Sequence, residues 1–247
     1  MSRSGPAVAR RLVLVLALLA WCVVALQAAL LVRVALMAWV NPASTTFQRS
    51  EMLRLAVDRQ QIAWGQTWTG YDSVSIHLKR AVIASEDAGF TSHAGADWEA
   101  MDRAWERNQR AQTRAAKPGA KPPASKLRGG STITQQLAKN LLLSGERTVF
   151  RKAQELVLAW MLEAVLDKRR ILELYLNHVE WGEGLFGAQA AARHYFRVDA
   201  GRLTPEQAAR LAVMLPAPKR FEQRPGSDYL VSRSSTILAR MASVELP

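Results

Sequence analysis

The sequence predicts a mostly α-helical domain that follows a single N-terminal transmembrane helix. Residues 12–31 form an apolar run whose only clearly polar member is Gln27. From Ser73 onward, apolar residues recur with helical spacing, and no alternating strand pattern extends beyond a few residues. The expected parts are a cytoplasmic tip and anchor at 1–40, a connector at 41–70 and the folded domain at 71–247.

The apolar run is long enough to cross a membrane. A helix of this length, at about 1.5 Å per residue, covers roughly the 30 Å of a hydrocarbon core. Arg3, Arg10 and Arg11 precede the run, so the positive-inside rule places the N-terminus in the cytoplasm and the domain outside. The alternative is a cleaved signal peptide. It is disfavoured because the run exceeds the usual core of roughly 7–15 residues and no clean A-x-A site follows.

The folded domain is predicted as a series of helices with a tight loop. Ile133, Leu137 and Leu141 recur every four residues, and Ser131 is the expected N-cap of their helix. Further helices are expected at 149–166, 168–177 and 190–196, with a glycine-rich loop at 182–187 and a capping box with proline at 204–207.

The chain is strongly basic and has few metal-binding side chains. Its 33 Lys and Arg exceed its 21 Asp and Glu, for a net charge of +12. Outside the membrane, the expected anionic partner is a phosphate-bearing substrate or a lipid headgroup, not nucleic acid. The single cysteine, Cys22, excludes an intrachain disulfide, and the four histidines show no zinc-ligand spacing. Segment 111–127, rich in Ala, Lys and Pro, is predicted to be a flexible basic insertion.

The first candidate for chemistry is the acidic turn Glu86–Gly95. It places adjacent carboxylates, Glu86 and Asp87, beside Phe90 and His93. A carboxylate near apolar groups can have its pKa raised toward neutrality, which suits a general base. An ordinary pair of capping acids on a solvated turn is the alternative, and the more frequent one when this motif is taken alone.

The second and third candidates could bind sugar and phosphate. Glycines before the helix that follows Ser131 expose backbone N–H groups to an anion, and polar side chains share its first turns. Arg147, Arg151 and Lys152 form a cation cluster suited to a departing diphosphate, with Glu155 one turn beyond Arg151. The alternatives are an ordinary amphipathic helix and a surface ion pair. Glu163 and Glu173 are expected to be structural.

Together and in this order, these motifs resemble the peptidoglycan glycosyltransferase family (family 51), specifically its monofunctional, biosynthetic members. The resemblance covers about Ser73 to Pro225. Its signatures stand here as Glu86-Asp87-x-x-Phe90-x-x-His93-x-Gly95, Gly129 to Gln136, Arg151-Lys152-x-x-Glu155, and Lys168 through Tyr175-Leu176-Asn177 to Gly182. The segment 111–127 is an insertion between the first two signatures, and no S-x-x-K motif of a fused transpeptidase is present.

The resemblance implies a reaction and a role for each matching residue. Such enzymes join units of lipid II through β-1,4 bonds, with inversion, and release undecaprenyl diphosphate. Glu86 would be the general base, and Glu155 would organise the diphosphate directly or through a divalent ion, Mg²⁺ or Mn²⁺. The expected substrate-binding residues are Asp87, Phe90, His93, Ser131, Thr132, Gln135, Gln136, Lys139, Asn140, Arg147, Arg151 and Lys152.

The resemblance also implies the setting. The expected fold is a helical, lysozyme-like lobe with a smaller membrane-associated jaw region, held at a bacterial inner membrane with the catalytic domain in the periplasm. The expected partners are lipid II, the growing glycan chain and proteins of cell division or elongation, with no nucleotide cofactor. Two alternatives stay open: a lytic enzyme that cuts finished glycan, and a non-catalytic membrane-held scaffold.

Overall fold

The computed structural model describes residues 5–60, 62–115, 130–143 and 148–247, and it divides into two units, 1–41 and 42–247. Arg147, Gly129 and most of the predicted basic insertion lie outside the described residues. The remaining motifs fall within the second unit.

The first unit contains one long helix. Helix α1 spans Gly5–Leu36, and its Ala9–Leu36 portion is long and apolar enough to cross a membrane. Most of its large apolar side chains are exposed, as a lipid-facing surface requires: Leu12, Leu18 and Trp21 each have more than half of their surface open. The predicted apolar helix at the N-terminus is confirmed.

The second unit is mostly helical, as predicted. Its helices are α2 (Thr46–Arg59), α3 (Ile76–Glu86), α4 (Trp98–Ala115), α5 (Ile133–Leu142), α6 (Val149–Val165), α7 (Lys168–His178), α8 (Ala188–Phe196), α9 (Pro205–Met214), α10 (Pro218–Glu222) and α11 (Asp228–Met241). Short 3₁₀ turns lie at Tyr71–Ser73 and Ala200–Arg202. Residues 111–115, predicted as the start of the flexible insertion, instead continue α4.

Three very short strands form the one sheet of the described residues. They are β1 (Gly65–Gln66), β2 (Glu180–Gly182) and β3 (Leu185–Phe186), in the order β1-β3-β2. β3 is parallel to β1 and antiparallel to β2. The turn between β2 and β3 needs Gly184, because its φ is +71° and a Cβ there would lie 2.0 Å from the carbonyl oxygen of Ala63. The predicted glycine-rich tight loop is therefore confirmed.

Side-chain caps fix where several helices begin. The Thr204 side chain accepts a hydrogen bond from the backbone of Gln207, with Pro205 in the first turn, which confirms the predicted capping box. The predicted N-cap at Ser131 is wrong, since Thr132 Oγ1 accepts from the Gln135 backbone N–H at 3.2 Å. The Ser131 hydroxyl instead accepts a hydrogen bond from Lys152 Nζ. Because Ser131 and Thr132 are adjacent and both carry a hydroxyl group, the sequence alone did not show which of them caps the helix.

The core lies where two groups of helices pack. Helix α5 packs against α6 and α7, and α3 packs against α9 and α11. The predicted apolar face of α5 is buried: Ile133, Leu137 and Leu141 are at most 1% exposed. Burial of each such side chain contributes roughly 1.5–3 kcal/mol. Hydrogen bonds from Ile133 to Asp87 and from Gln136 to Glu86 connect α5 with the C-terminal end of α3.

Candidate functional site

Glu86 is the last residue of α3 and lies half-buried beside α5. Its Oε2 accepts a hydrogen bond from Gln136 Nε2 at 3.1 Å, and its Oε1 accepts one from Ser85 Oγ at 3.2 Å. Desolvation raises the pKa of Glu86, and the neighbouring charge of Asp87 adds to the rise; the two hydrogen bonds and Arg233 oppose it. A carboxyl group with a raised pKa is suited to take a proton from a substrate.

Asp87 connects the acidic turn to the start of α5. Its Oδ2 accepts the backbone N–H of Ile133 at 2.9 Å, and its Oδ1 lies 2.9 Å from His93 Nε2. An acid at the N-terminus of a helix also interacts favourably with the helix dipole. Asp87 is only 7% exposed, so it holds the turn in place, and its predicted contact with substrate stays a prediction.

Phe90 and His93 are also positioned by the interior of the domain. The Phe90 ring is fully buried, with Lys168 Nζ lying 4.6 Å from its centroid. Lys168 Nζ donates to the His93 carbonyl at 2.6 Å and pairs with Glu163 at 2.8 Å. Glu163 also accepts a hydrogen bond from Thr134 at 2.6 Å, which agrees with its expected structural role. The substrate contacts predicted for Phe90 and His93 are untested by this packing.

Removal of the Asp87 carboxylate should destabilise the fold. Asp87→Ala would leave the Ile133 N–H without its buried acceptor and His93 without its carboxylate, at a cost of about 2–4 kcal/mol. We expect the midpoint of thermal unfolding of the full chain in detergent, followed by circular dichroism, to fall by several degrees. Asp72→Ala is the matched control, since Asp72 makes an exposed pair with Arg169. Equal midpoints for the two variants would contradict the role assigned to Asp87.

Helix α5 carries the second motif and mixes accessible with buried polar groups. Lys139 is exposed, and Ser131 and Gln136 are half-buried. Thr132, Gln135 and Asn140 are at most 7% exposed, and Thr132 Oγ1 also donates to the Gly95 carbonyl at 2.7 Å. The buried residues Thr132, Gln135 and Asn140 can support the site from beneath. The accessible residues Ser131, Gln136 and Lys139 can reach a ligand.

The cations of the third motif surround a buried carboxylate. Glu155 is 3% exposed, and its Oε2 accepts from Arg151 Nη1 at 2.8 Å while its Oε1 accepts from Lys152 Nζ. Lys152 Nζ also donates to Ser131 Oγ at 3.1 Å, which joins the start of α6 to the segment that enters α5. The two cations outnumber the single carboxylate, so the cluster keeps a net positive charge for an anion.

Helix α5 and the segment that enters it contact the acid and the cations respectively. Gln136 of α5 bonds Glu86, and Ser131, five positions earlier, bonds Lys152. The sequence assigned the acid and the cations to one substrate-binding site, and that assignment stays a prediction. Arg147, predicted for the same cluster, lies outside the described residues.

The side chains near Glu155 do not fit a divalent ion held by the protein alone. Within the described parts of the chain, no group of three or more His, Cys, Asp or Glu is placed to bind a metal. Both oxygens of Glu155 already accept from cations, whereas Mg²⁺ and Mn²⁺ require several oxygen ligands. The divalent ion near Glu155 that the family resemblance implies stays a prediction.

Tyr175 is a contributor to the site whose role the sequence did not reveal. Its hydroxyl donates to Gln136 Oε1 at 2.9 Å, next to the Gln136–Glu86 contact. Tyr175 lies on the buried face of α7 at the same helical spacing as Ile171 and Leu174, so its pattern is that of a core residue. Glu173 has the structural role expected of it, since it accepts the Tyr71 backbone N–H at 2.9 Å.

Comparisons with known proteins agree with these motifs. The sequence model of the family described as "Transglycosylase" matches residues 54–242. A "Biosynthetic peptidoglycan transglycosylase" from Paraburkholderia phytofirmans is 48% identical over 246 residues, covering 100% of this chain and 97% of the relative. A protein of the same name from Bordetella pertussis is 51% identical over 210 residues, covering 85% and 84%. Another, from Paraburkholderia xenovorans, is 49% identical over 229 residues, covering 93% and 90%.

Proposed function

This chain belongs to the transglycosylase family, and from that membership we propose that it polymerises lipid II into β-1,4-linked glycan strands and releases undecaprenyl diphosphate. The observation that carries the proposal is that Glu86, a desolvated acid, is linked to the cations around Glu155 through α5 and the segment that enters it. A base at one end of a site and an anion-binding cluster at the other suit a transfer that expels a diphosphate.

In the proposed reaction, the 4-hydroxyl of the acceptor glucosamine attacks C1 of the donor sugar. Glu86 accepts the hydroxyl proton as the new O4–C1 bond forms. The bond from C1 to the diphosphate oxygen breaks, and its electron pair leaves with undecaprenyl diphosphate. Attack opposite the leaving group inverts the configuration at C1, which converts the donor linkage into a β-1,4 bond.

Arg151 and Lys152 stabilise the negative charge that develops on the leaving diphosphate. Glu155 fixes both cations from behind, so that they need little rearrangement as the charge builds. Lys139, exposed on α5, and Arg147 are the further cations predicted for the same task. Ser131 and Gln136 contact the cationic and acidic ends respectively, where sugar hydroxyls would lie.

The proposed setting is a membrane surface. Helix α1 can hold the chain in the same bilayer as its lipid-linked substrate. The basic residues Arg3, Arg10 and Arg11 support an N-terminus in the cytoplasm and a catalytic domain on the outer face of an inner membrane. Partners from the division or elongation machinery stay a prediction from the resemblance.

Incubation of the full chain with purified lipid II in detergent tests this function. We expect glycan chains on gel electrophoresis and one undecaprenyl diphosphate released for each new bond. A parallel sample with preformed glycan in place of lipid II should show no shortening of the chains. Cleavage of that glycan would support the lytic alternative, and a folded protein that changes neither substrate would support the non-catalytic scaffold.

A further inference from the structure

Three helices contribute to a continuous hydrogen-bonded chain that ends on Glu86. Tyr175 of α7 donates its hydroxyl proton to Gln136 Oε1 at 2.9 Å, and Gln136 Nε2 of α5 donates to Glu86 Oε2 at 3.1 Å. Tyr175 is fully buried, and its hydroxyl has this one hydrogen-bond partner among the described residues. In the proposed reaction, Glu86 is the member of this chain that accepts the proton.

The orientation of the Gln136 amide is linked to the charge of Glu86. In the observed orientation the NH₂ group faces Glu86 and donates to it, and this hydrogen bond is stronger when the carboxyl group is ionised than when it is protonated. If the amide is rotated by 180°, its carbonyl oxygen faces Glu86, and a hydrogen bond then requires a proton on Glu86. The rotated amide would also leave the Tyr175 hydroxyl proton without its acceptor, and burying an unmade hydrogen bond is unfavourable.

We propose that Tyr175 is a positioning residue for the transfer described above: by donating to Gln136 Oε1 it orients the amide toward Glu86 and thereby keeps that carboxyl group ionised as the base. The inference rests on the proposed function, because it assumes that Glu86 accepts a proton. Tyr175 itself touches neither the substrate nor the reacting atoms.

The electrostatics of the site agree with this role. Burial, together with the charges of Glu86 and Asp87, holds the pKa of Tyr175 well above its usual range, so the hydroxyl is always available as a donor. Desolvation and Asp87 raise the pKa of Glu86, whereas the hydrogen bonds from Gln136 and Ser85 and the charge of Arg233 on α11 lower it. The contribution of Gln136 therefore opposes the main effect of burial.

Tyr175→Phe tests the proposal through the pH dependence of polymerisation. Without the hydroxyl, the observed orientation leaves Gln136 Oε1 without a donor, so the rotated amide and protonated Glu86 become more favourable. We expect the acidic limb of kcat to move up by about one pH unit, a roughly tenfold loss of kcat on that limb, since one hydrogen bond is worth about that factor. The two profiles should meet at high pH, and KM should change less than twofold.

Tyr195→Phe is the matched control. The Tyr195 hydroxyl donates to the Trp181 carbonyl at 2.9 Å, away from Glu86, so the variant loses a comparable hydrogen bond. Its thermal stability should fall as that of Tyr175→Phe does, but its pH profile should coincide with that of the unmodified enzyme. A purely structural effect of Tyr175 would give the same coincident profile and would overturn the proposal.

Gln136→Leu provides a second variant that does not alter the buried face of α7. It removes the donation to Glu86 directly, so its acidic limb should also move upward even if Tyr175→Phe does not fold. In the Gln136→Leu background, Tyr175→Phe should add no further shift. An additional shift there, or an unmoved limb in Gln136→Leu, would contradict the proposal. Absence of polymerisation by the unmodified enzyme would instead contradict the proposed function.

Discussion

Replacement of Glu86 by Gln should lower the rate of lipid II polymerisation by about 10²–10⁴-fold, the range typical of general acid–base catalysis. The amide keeps the shape of the side chain and can still accept a hydrogen bond from Gln136, but it cannot take the proton of the acceptor hydroxyl. The measurement is the initial rate of undecaprenyl diphosphate release by the full chain in detergent. Glu106→Gln, at an exposed pair with Arg110 on α4, is the matched control and should keep full activity.

The same carboxyl group determines the expected pH dependence. Since desolvation raises its pKa, Glu86 should become protonated, and the enzyme inactive, at a higher pH than for an ordinary glutamate.

The folded protein binds this proton more tightly than the unfolded chain does, so ionisation of Glu86 costs stability above its raised pKa. Glu86→Gln should therefore unfold at an equal or higher temperature than the unmodified protein at pH 8. Polymerisation that persists in a correctly folded Glu86→Gln protein would remove Glu86 from the mechanism.

Replacement of Glu155 by Gln should lower kcat/KM for lipid II by about 10–100-fold, the scale of a misplaced electrostatic contact in a transition state. The amide NH₂ group would face one of the two cations, so Arg151 and Lys152 could not both stay where Glu155 holds them. Because the carboxylate is buried, the thermal midpoint should also fall.

A steady-state assay over a range of lipid II concentrations measures this loss. Glu183→Gln is a suitable control, because Glu183 pairs with Arg54 at 2.8 Å in a half-exposed ion pair outside the site. Activity of Glu155→Gln within twofold of the unmodified enzyme would show that the buried carboxylate is not needed to align the cations.

The local sequence pattern predicted the helices of this domain better than it predicted the contacts between them. The four-residue spacing of Ile133, Leu137 and Leu141 defined the buried face of α5, and the Thr204–Gln207 box located the start of α9. Such signals lie within one or two helical turns, where spacing and capping chemistry determine the structure.

The sequence carries no comparable signal for contacts between residues that are far apart in the chain. Asp87 bonds the backbone of Ile133, 46 residues later, and Lys219 lies between Glu51 and Glu180. Glu180 has its pKa raised to about 7, chiefly by desolvation, although nothing in its neighbouring sequence marks it. These pairings are set by how the helices pack, which periodicity does not specify.

The ten-residue α5 has a consequence for drug resistance. Under the proposed mechanism, a small molecule bound against this helix would disturb both proton removal and departure of the lipid carrier, because Gln136 of α5 contacts Glu86 and Ser131, just before α5, contacts Lys152. A substitution that shifted α5 to evade such a compound would disrupt both events too.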